Sequence, residues 1–224
     1  MSMHQKRYLI CSAVLAVLFL LLSLLVWLRP AMLSTIDHLF SQWPLHRSEQ
    51  LDTFFGAIAA TATIIPITAA LLLLSIGLCW RRSWTLMIWL WGNLILISGL
   101  GKGIKSMIAR PRPSFAGHAE RASFSFPSGH TLLAVTFVLT CIVIFPYLMA
   151  SVSSRCQSLI KKWVMAGGMV YILLVMMTRV YFGVHYPSDL LASLCLSGAV
   201  SSLTYGVFVH FSESDRAVAS NQIK

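Results

Sequence analysis

The chain is poor in charged residues, and above all in acidic ones. Charged residues make up 11% of its 224 positions, with 7 Asp or Glu against 17 Lys or Arg. A soluble globular domain carries roughly a quarter charged residues, so this composition excludes an ordinary soluble domain. Mean hydropathy is +0.77, and several apolar runs reach the roughly 20 residues that cross about 30 Å of hydrocarbon as a helix. The composition indicates a polytopic membrane protein.

Other scarcities narrow the possible functions. None of the 5 cysteines forms a C-x-x-C pair with another, so neither a zinc site nor a disulfide framework is indicated. Acidic residues form no cluster of the metal-ligand type, and we expect no metal and no other cofactor. Low-complexity linkers and internal repeats are lacking, so we expect residues 1–224 to form a single domain. The basic excess lies in short connections, where membrane topology accounts for it, and nucleic acid is not an expected partner.

Hydropathy predicts an all-α bundle of six transmembrane helices. The expected ranges are 8–28, 54–80, 84–101, 130–150, 163–181 and 190–210. The first run is longer than the apolar core of a usual signal peptide, and no small-residue cleavage pattern follows it, so we expect a retained span. We expect residues 31–53, with Trp43, Phe54 and Phe55, to lie in the membrane interface and to help admit lipid.

The basic residues predict an orientation. With the N-terminus inside, inner segments hold nine Lys or Arg and outer segments eight, of which five lie in residues 102–126. If those five serve a ligand, the remaining count is nine against three, and the positive-inside rule places both termini in the cytoplasm. We therefore expect a multi-pass protein of the cytoplasmic (inner) membrane, with residues 102–126 facing outward or toward the periplasm.

This outer region carries the residues of a phosphate site. Lys105, Arg112 and Arg179 are cations without matching carboxylates, and the planar fork of arginine suits phosphate oxygens. Ser128 and Gly129 stand at the first turn of the fourth predicted span, where unpaired backbone N–H groups and the helix dipole favour an anion. Ionisable residues at membrane depth are costly, which makes them candidates for function.

Two histidines suggest the chemistry. His185 and Asp189 are four residues apart, so on a helix they share a face, and the carboxylate can orient the imidazole as a nucleophile. His130 comes from another helix and can donate a proton to a leaving alkoxide. Together these groups predict phosphoryl transfer through a phosphohistidine, with cations doing what Mg²⁺ does in other enzymes.

These motifs resemble a known family. The chain contains K-x6-R-P from Lys105 to Pro113, P-S-G-H at 127–130, and R-x5-H-x3-D from Arg179 to Asp189. The set is similar to that of the type 2 phosphatidic acid phosphatase family, which includes soluble acid phosphatases and vanadium haloperoxidases. The compact length resembles the bacterial membrane lipid phosphatases of the phosphatidylglycerophosphatase B type.

The resemblance implies a role for each motif residue. His185 would be the nucleophile, Asp189 its orienting group and His130 the general acid. The phosphate would be held by Lys105, Arg112, Ser128, Gly129 and Arg179. Thr178 departs from the family's usual serine but keeps a hydroxyl. Arg110, an additional Arg-Pro ahead of the motif, is expected to face solvent or lipid headgroups.

Simpler interpretations stay open for single residues. His130 could be an interfacial histidine, and Asp189 could serve as a helix cap. The other five histidines have no partners at motif spacing, and we expect them to be solvated or interfacial: His4, His38, His46, His118 and His210.

The expected reaction is hydrolysis of a lipid phosphate monoester or pyrophosphate at the outer membrane face. The family resemblance offers phosphatidylglycerol phosphate, phosphatidic acid and undecaprenyl pyrophosphate as substrates, with membrane lipids as the surroundings and an oligomeric state left open. Some branches dedicated to undecaprenyl pyrophosphate carry Asp at the position of Gly129, which favours phosphatidylglycerol phosphate or broad specificity here. A lipid phosphotransferase, a dedicated undecaprenyl-pyrophosphate phosphatase and a non-catalytic lipid-binding protein are the alternatives.

Overall fold

The protein folds into an all-α bundle, as the hydropathy predicts. The structure, a computed structural model, describes residues 3–39, 47–113, 123–151 and 153–221. A short 3₁₀ turn, Pro30–Leu33, precedes helix α2, and no strand occurs in these ranges. The helices are α1 (Met3–Leu28), α2 (Ser34–His38), α3 (Glu49–Thr61), α4 (Ile64–Trp80), α5 (Trp84–Ile108), α6 (Gly129–Leu148), α7 (Ser154–Tyr181) and α8 (Pro187–Asn221).

Most predicted spans are confirmed, but the second is broken. Five helices are long and apolar enough to cross a membrane, and α3 with α4 make a sixth span only as a pair bent by 49°. The expectation of one continuous helix over 54–80 is therefore wrong. The hydroxyls of Thr61 and Thr63 donate hydrogen bonds to the carbonyls of Ile58 and Ala60, and such bonds compete with the continuation of a helix. Pro66, which has no N–H, then stands in the first turn of α4, where none is needed.

Helix α5 is longer than predicted and changes the setting of the cations. It continues from the predicted end near residue 101 to Ile108, and Ala109 ends it in the left-handed conformation with φ 49°. The residue before a proline avoids helical geometry, so Arg110-Pro111 stops any continuation. Lys105 consequently lies on the last helical turn and not in a loop.

Close packing around α6 builds the centre of the bundle. Helix α6 contacts α4, α5, α7 and α8, and α8 also packs along α1. Gly168 of α7 allows the approach to α6, because a Cβ atom there would collide with Val138. Small residues at such contacts are typical of membrane helices, which lack a hydrophobic driving force between them.

The ends of five helices meet at one face of the bundle. The C-terminal ends of α5 and α7 and the N-terminal ends of α6 and α8 converge there, and α2 contacts α8 beside them. Directly beneath, a cluster with Phe19, Ile97, Phe126, Leu132 and Leu196 fills the interior. This apolar cluster lies under the helix ends and connecting segments that carry the motif residues.

Candidate active site

His185 and Asp189 form a buried pair at the start of α8. His185 is 4% exposed and Asp189 is fully buried. Imidazole Nδ1 lies 3.5 Å from carboxylate Oδ2, which is long for a hydrogen bond, and Nδ1 has no other partner among the described residues. Catalytic hydrogen bonds are often long before a substrate binds. Oδ2 also accepts a hydrogen bond from the backbone N–H of Tyr186 at 3.0 Å, so the carboxylate is held toward the imidazole.

Arg112 stands at the other side of the imidazole. One guanidinium nitrogen lies 3.4 Å from His185 Nε2 and donates to the carbonyl of Val184 at 2.6 Å. The rest of the guanidinium donates to the backbone and hydroxyl oxygens of Ser123. The side chain thus joins two connecting segments and places a positive charge where a group bonded to Nε2 would sit.

Lys105 contributes a second cation to this place. Its ammonium donates to the carbonyl of Phe124 at 3.1 Å and is within electrostatic reach of Arg112 and Asp189. Both cations also act on His185. The structure therefore brings together Lys105, Arg112, His185 and Asp189, four of the eight residues predicted from the motifs.

The first turn of α6 is tied to the first turn of α8. The N–H of Ser128 donates to the Ser193 hydroxyl at 2.8 Å, and this hydroxyl donates to the carbonyl of Asp189. The Ser128 hydroxyl accepts from Thr131. Ser128 is fully buried, and the hydrogen bond made by its N–H leaves the next N–H groups of the turn, beginning with that of Gly129, as the donors for an anion.

Arg179 and His130 line a cavity beside α3. This space of about 260 Å³ is bordered by both side chains and by Phe182, Thr63 and residues of α3. Arg179 is 4% exposed, and its Nε donates to the hydroxyl of Thr178 at 3.0 Å. The Thr178 hydroxyl thus has Arg179 as its hydrogen-bond donor.

Burial keeps the His185 imidazole neutral. Loss of hydration lowers the pKa of His185 to about 4, Asp189 opposes the shift, and the charges of Arg112 and Lys105 reinforce it. An imidazole ordinarily titrates near pH 6.5. At neutral pH, His185 therefore carries a lone pair, which a nucleophile requires.

Arg110 corrects one expectation from the sequence. It does not face solvent or headgroups: its side chain is 9% exposed and donates to Asp37 and Asp189, each at 2.6 Å. Its guanidinium also stacks on the Tyr186 ring at 3.9 Å. Burial disfavours the charged guanidinium and acts to lower the pKa of Arg110. The two carboxylates have the larger combined effect and raise this pKa above its ordinary value.

Asp37 is the residue that the sequence reasoning missed. It is 5% exposed and accepts from the backbone N–H of Ser188 as well as from Arg110. The available signal was its rarity, because the chain has only 7 acidic residues and this one follows the first span on the side of the basic loop.

An apolar cavity of about 330 Å³ opens next to Lys105. Its apolar walls include Ile64, Ile97 and Leu132, and Lys102 and Lys105 stand at the same cavity. Gly129 also borders it. The cavity therefore has apolar walls, and the N-terminal end of α6 and two cations stand at its border.

Several predictions concern residues away from this centre. Phe55 packs on Tyr181 with ring centroids 4.6 Å apart, whereas Phe54 is 53% exposed. His38 and His210 are exposed. The predictions for His46, His118 and residues 40–46 lie outside the described residues, as does the side chain of His4.

Comparison with known proteins places this arrangement in a family. Residues 86–212 match the PAP2 superfamily. The chain is 28% identical over 146 residues to an undecaprenyl-diphosphatase of Sulfolobus acidocaldarius, covering 62% of this chain and 61% of that protein. It is 35% identical over 121 residues to phosphatidylglycerophosphatase B of Bacillus subtilis, covering 52% and 55%. The matches thus span somewhat more than half the length of these curated relatives.

A solved structure supports the fold. The crystal structure of a transmembrane PAP2 type phosphatidylglycerolphosphate phosphatase from Bacillus subtilis superposes with a TM-score of 0.73. The identity is 24%, with 88% of this chain and 95% of that chain covered. The family match extends over more than half of the chain and includes all three motifs. The chain is a multi-pass membrane protein and belongs to the PAP2 superfamily.

Proposed function

We propose that the protein is a membrane lipid phosphatase that works through a phosphohistidine on His185. The observation that carries this proposal is the setting of one imidazole. Nδ1 faces Asp189, Nε2 faces Arg112, and the ring is buried and neutral. Such an arrangement suits a nucleophile whose product is a phosphoryl group held by cations.

The proposed reaction has two steps. His185 Nε2 attacks phosphorus, the bond from phosphorus to the leaving oxygen breaks, and His130 donates a proton to that oxygen. Water then attacks the phosphohistidine, the N–P bond breaks, and His130 takes a proton from the water. Asp189 stabilises the imidazole while it is positively charged, and Lys105, Arg112 and Arg179 stabilise the phosphoryl oxygens together with the first turn of α6.

The shape of the site favours a lipid substrate. The cavity beside Lys105 is walled by apolar side chains and has cations at its polar end. A substrate with a phosphate and an acyl or prenyl tail matches both parts. Relatives named undecaprenyl-diphosphatase and phosphatidylglycerophosphatase B support the lipid class, and within it we favour phosphatidylglycerol phosphate or broad specificity.

We further propose that the site faces the outside of the cytoplasmic membrane. Arg81 and Arg82 follow α4 at the opposite face of the bundle, and cytoplasmic connections carry the basic excess. This orientation places both termini in the cytoplasm. A cysteine introduced at exposed Ser123 should react with an impermeant maleimide in intact cells, and exclusive labelling after lysis would refute the orientation.

The test of function is phosphate release from phosphatidylglycerol phosphate in detergent micelles containing EDTA. We expect the wild type to release phosphate and His185→Ala to release none. His210→Ala serves as the matched control, because His210 is exposed at the far end of the membrane span Pro187–His210 of α8 and the variant should retain full activity.

Three results would contradict parts of the proposal. Release that survives His185→Ala would refute the nucleophile. No release by the wild type from phosphatidylglycerol phosphate, phosphatidic acid or undecaprenyl pyrophosphate would refute the hydrolase. Transfer of labelled phosphate to a second lipid, instead of its release into solution, would identify a phosphotransferase.

A further inference from the structure

A buried chain of charged groups lies behind Asp189. Arg110 donates one bond to Asp189 Oδ1 and another to Asp37 Oδ2, both at 2.6 Å. The same residue donates to the Ser188 hydroxyl at 2.8 Å, and the Ser188 N–H donates to Asp37 Oδ1 at 3.1 Å. The three ionised side chains are 9%, 4% and 0% exposed. None of them belongs to the motifs except Asp189.

The first consequence concerns the orientation of the carboxylate. Asp189 has one oxygen bonded to Arg110 and the other to the Tyr186 N–H, beside His185. Rotation of the carboxylate would break both bonds at once. Arg110 therefore holds the plane in which the second oxygen faces the imidazole.

The second consequence concerns charge. Asp189 paired with Arg110 alone would be neutral, and it would offer little stabilisation to the positive imidazole that forms when the N–P bond is made. Asp37 restores one net negative charge to the three-residue cluster. Charges that are buried this deeply interact more strongly than they would in water, so we expect the charge of Asp37 to act on His185.

We propose that Asp37 and Arg110 are positioning residues for the reaction on His185, acting through Asp189. Arg110 fixes the orientation of the carboxylate, and Asp37 keeps the cluster negative. The inference rests on the proposed phosphohistidine function but names residues outside the family's three motifs. A structural role alone is a weaker explanation, because buried ion pairs often contribute little to stability compared with apolar packing.

The decisive measurement is the titration of His185 itself, followed by NMR of ¹³C-labelled histidine and assigned with His185→Gln. Removing the positive charge in Arg110→Gln should raise the pKa of His185, and removing the negative charge in Asp37→Asn should lower it. The double variant should lie between the two. The charged or titratable groups beside this cluster that stay constant throughout the series are Lys105, Arg112 and Tyr186. His130 and Arg179, which line the neighbouring cavity, also stay constant.

Kinetics on phosphatidylglycerol phosphate supplies the second measurement. Partners that orient metal-ligating histidines typically contribute about 10- to 100-fold in activity. By analogy, Asp37→Asn should lower kcat by about that factor with little change in KM. Arg110→Lys keeps the charge but cannot reach three acceptors, so it should lower kcat without moving the His185 titration. Asp215→Asn is the matched control, because it makes the same chemical change on α8 beyond the membrane span Pro187–His210, at the end away from the site. Its kcat should stay at the wild-type level.

Opposite shifts of the His185 titration, together with the loss in kcat, support the inference. Shifts of the same sign, no shift, or a kcat for Asp37→Asn equal to that of Asp215→Asn would overturn it. A wild type that hydrolyses no lipid phosphate would defeat the proposed function, whereas the NMR titration would still decide whether Asp37 and Arg110 act on His185. If Arg110→Gln does not fold, the Asp37→Asn titration decides the matter alone.

Discussion

Replacing Asp189 by asparagine tests the central geometry most directly. The fully buried carboxylate accepts from Arg110 through one oxygen and from the Tyr186 N–H through the other. The carboxamide of Asn has one NH₂ group in place of an oxygen. In one orientation this group points its hydrogens at the Arg110 guanidinium, and in the other it points them at the Tyr186 N–H and at His185. Either way, donor meets donor.

The expected loss is large and can be divided into two parts. Comparable replacement of the orienting aspartate in a Ser-His-Asp triad lowers kcat about 10⁴-fold, which corresponds to roughly 5.4 kcal/mol at 1.36 kcal/mol per factor of ten. We expect a loss of about 10³- to 10⁴-fold for Asp189→Asn by the same physical reasoning. The unpaired buried donor should in addition cost about 1–3 kcal/mol of folding stability.

The assay is the initial rate of phosphate release from phosphatidylglycerol phosphate at saturating concentration in mixed micelles. Asp215→Asn is again the control, because it makes the same chemical change on α8 beyond the membrane span, at the end away from the site. Melting of both variants in detergent separates lost catalysis from lost folding. A folded Asp189→Asn variant with kcat within about tenfold of wild type would refute the role of this carboxylate as the orienting group.

Three further predictions follow from the packing and the electrostatics. The pKa of His185 is lowered to about 4. As pH falls from about 6.5 to about 4, this imidazole is protonated in the unfolded chain but not in the folded one, and roughly 3 kcal/mol of folding stability is lost. The melting temperature of His185→Gln should therefore fall less than that of the wild type between about pH 7 and pH 5, and equal slopes would contradict the buried neutral imidazole. Gly168→Ala should lower the melting temperature because its Cβ collides with Val138, whereas Gly167→Ala, with nothing within 4 Å of its added Cβ, should not; equal effects would refute the close contact of α6 with α7. Arg112→Lys keeps the charge but loses the fork, and kcat/KM should fall by about 10²-fold, while a variant close to wild type would show that charge alone suffices.

The sequence predicted what depends on local pattern. Apolar runs identify membrane helices because hydrocarbon requires them, and the spacing of His185 and Asp189 predicted a pair that the structure places side by side. The bend between α3 and α4 was missed because average hydropathy over 54–80 contains no information on side-chain hydrogen bonds. The hydroxyls of Thr61 and Thr63 bond to backbone carbonyls at this point. The end of α5 was missed for a related reason: Lys102 and Lys105 look like loop residues by hydropathy but continue the helix.

Arg110 and Arg112 show why burial could not be read from composition. Both precede a proline, and both follow the end of α5, so nothing local distinguishes them. The residue before a proline favours extended geometry, so neither arginine continues the helix. Arg112 turns toward His185 Nε2, and Arg110 turns inward to Asp37 and Asp189. The inward position is tenable only because Asp37, which is more than 70 positions earlier in the chain, arrives on α2 to share the charge with Asp189. A charge in a membrane protein's interior is costly unless it is paired, so a tertiary contact decided the position of Arg110. The first of the two adjacent Arg-Pro pairs thus binds the Asp189 carboxylate, and our proposal gives the second the role of holding phosphate.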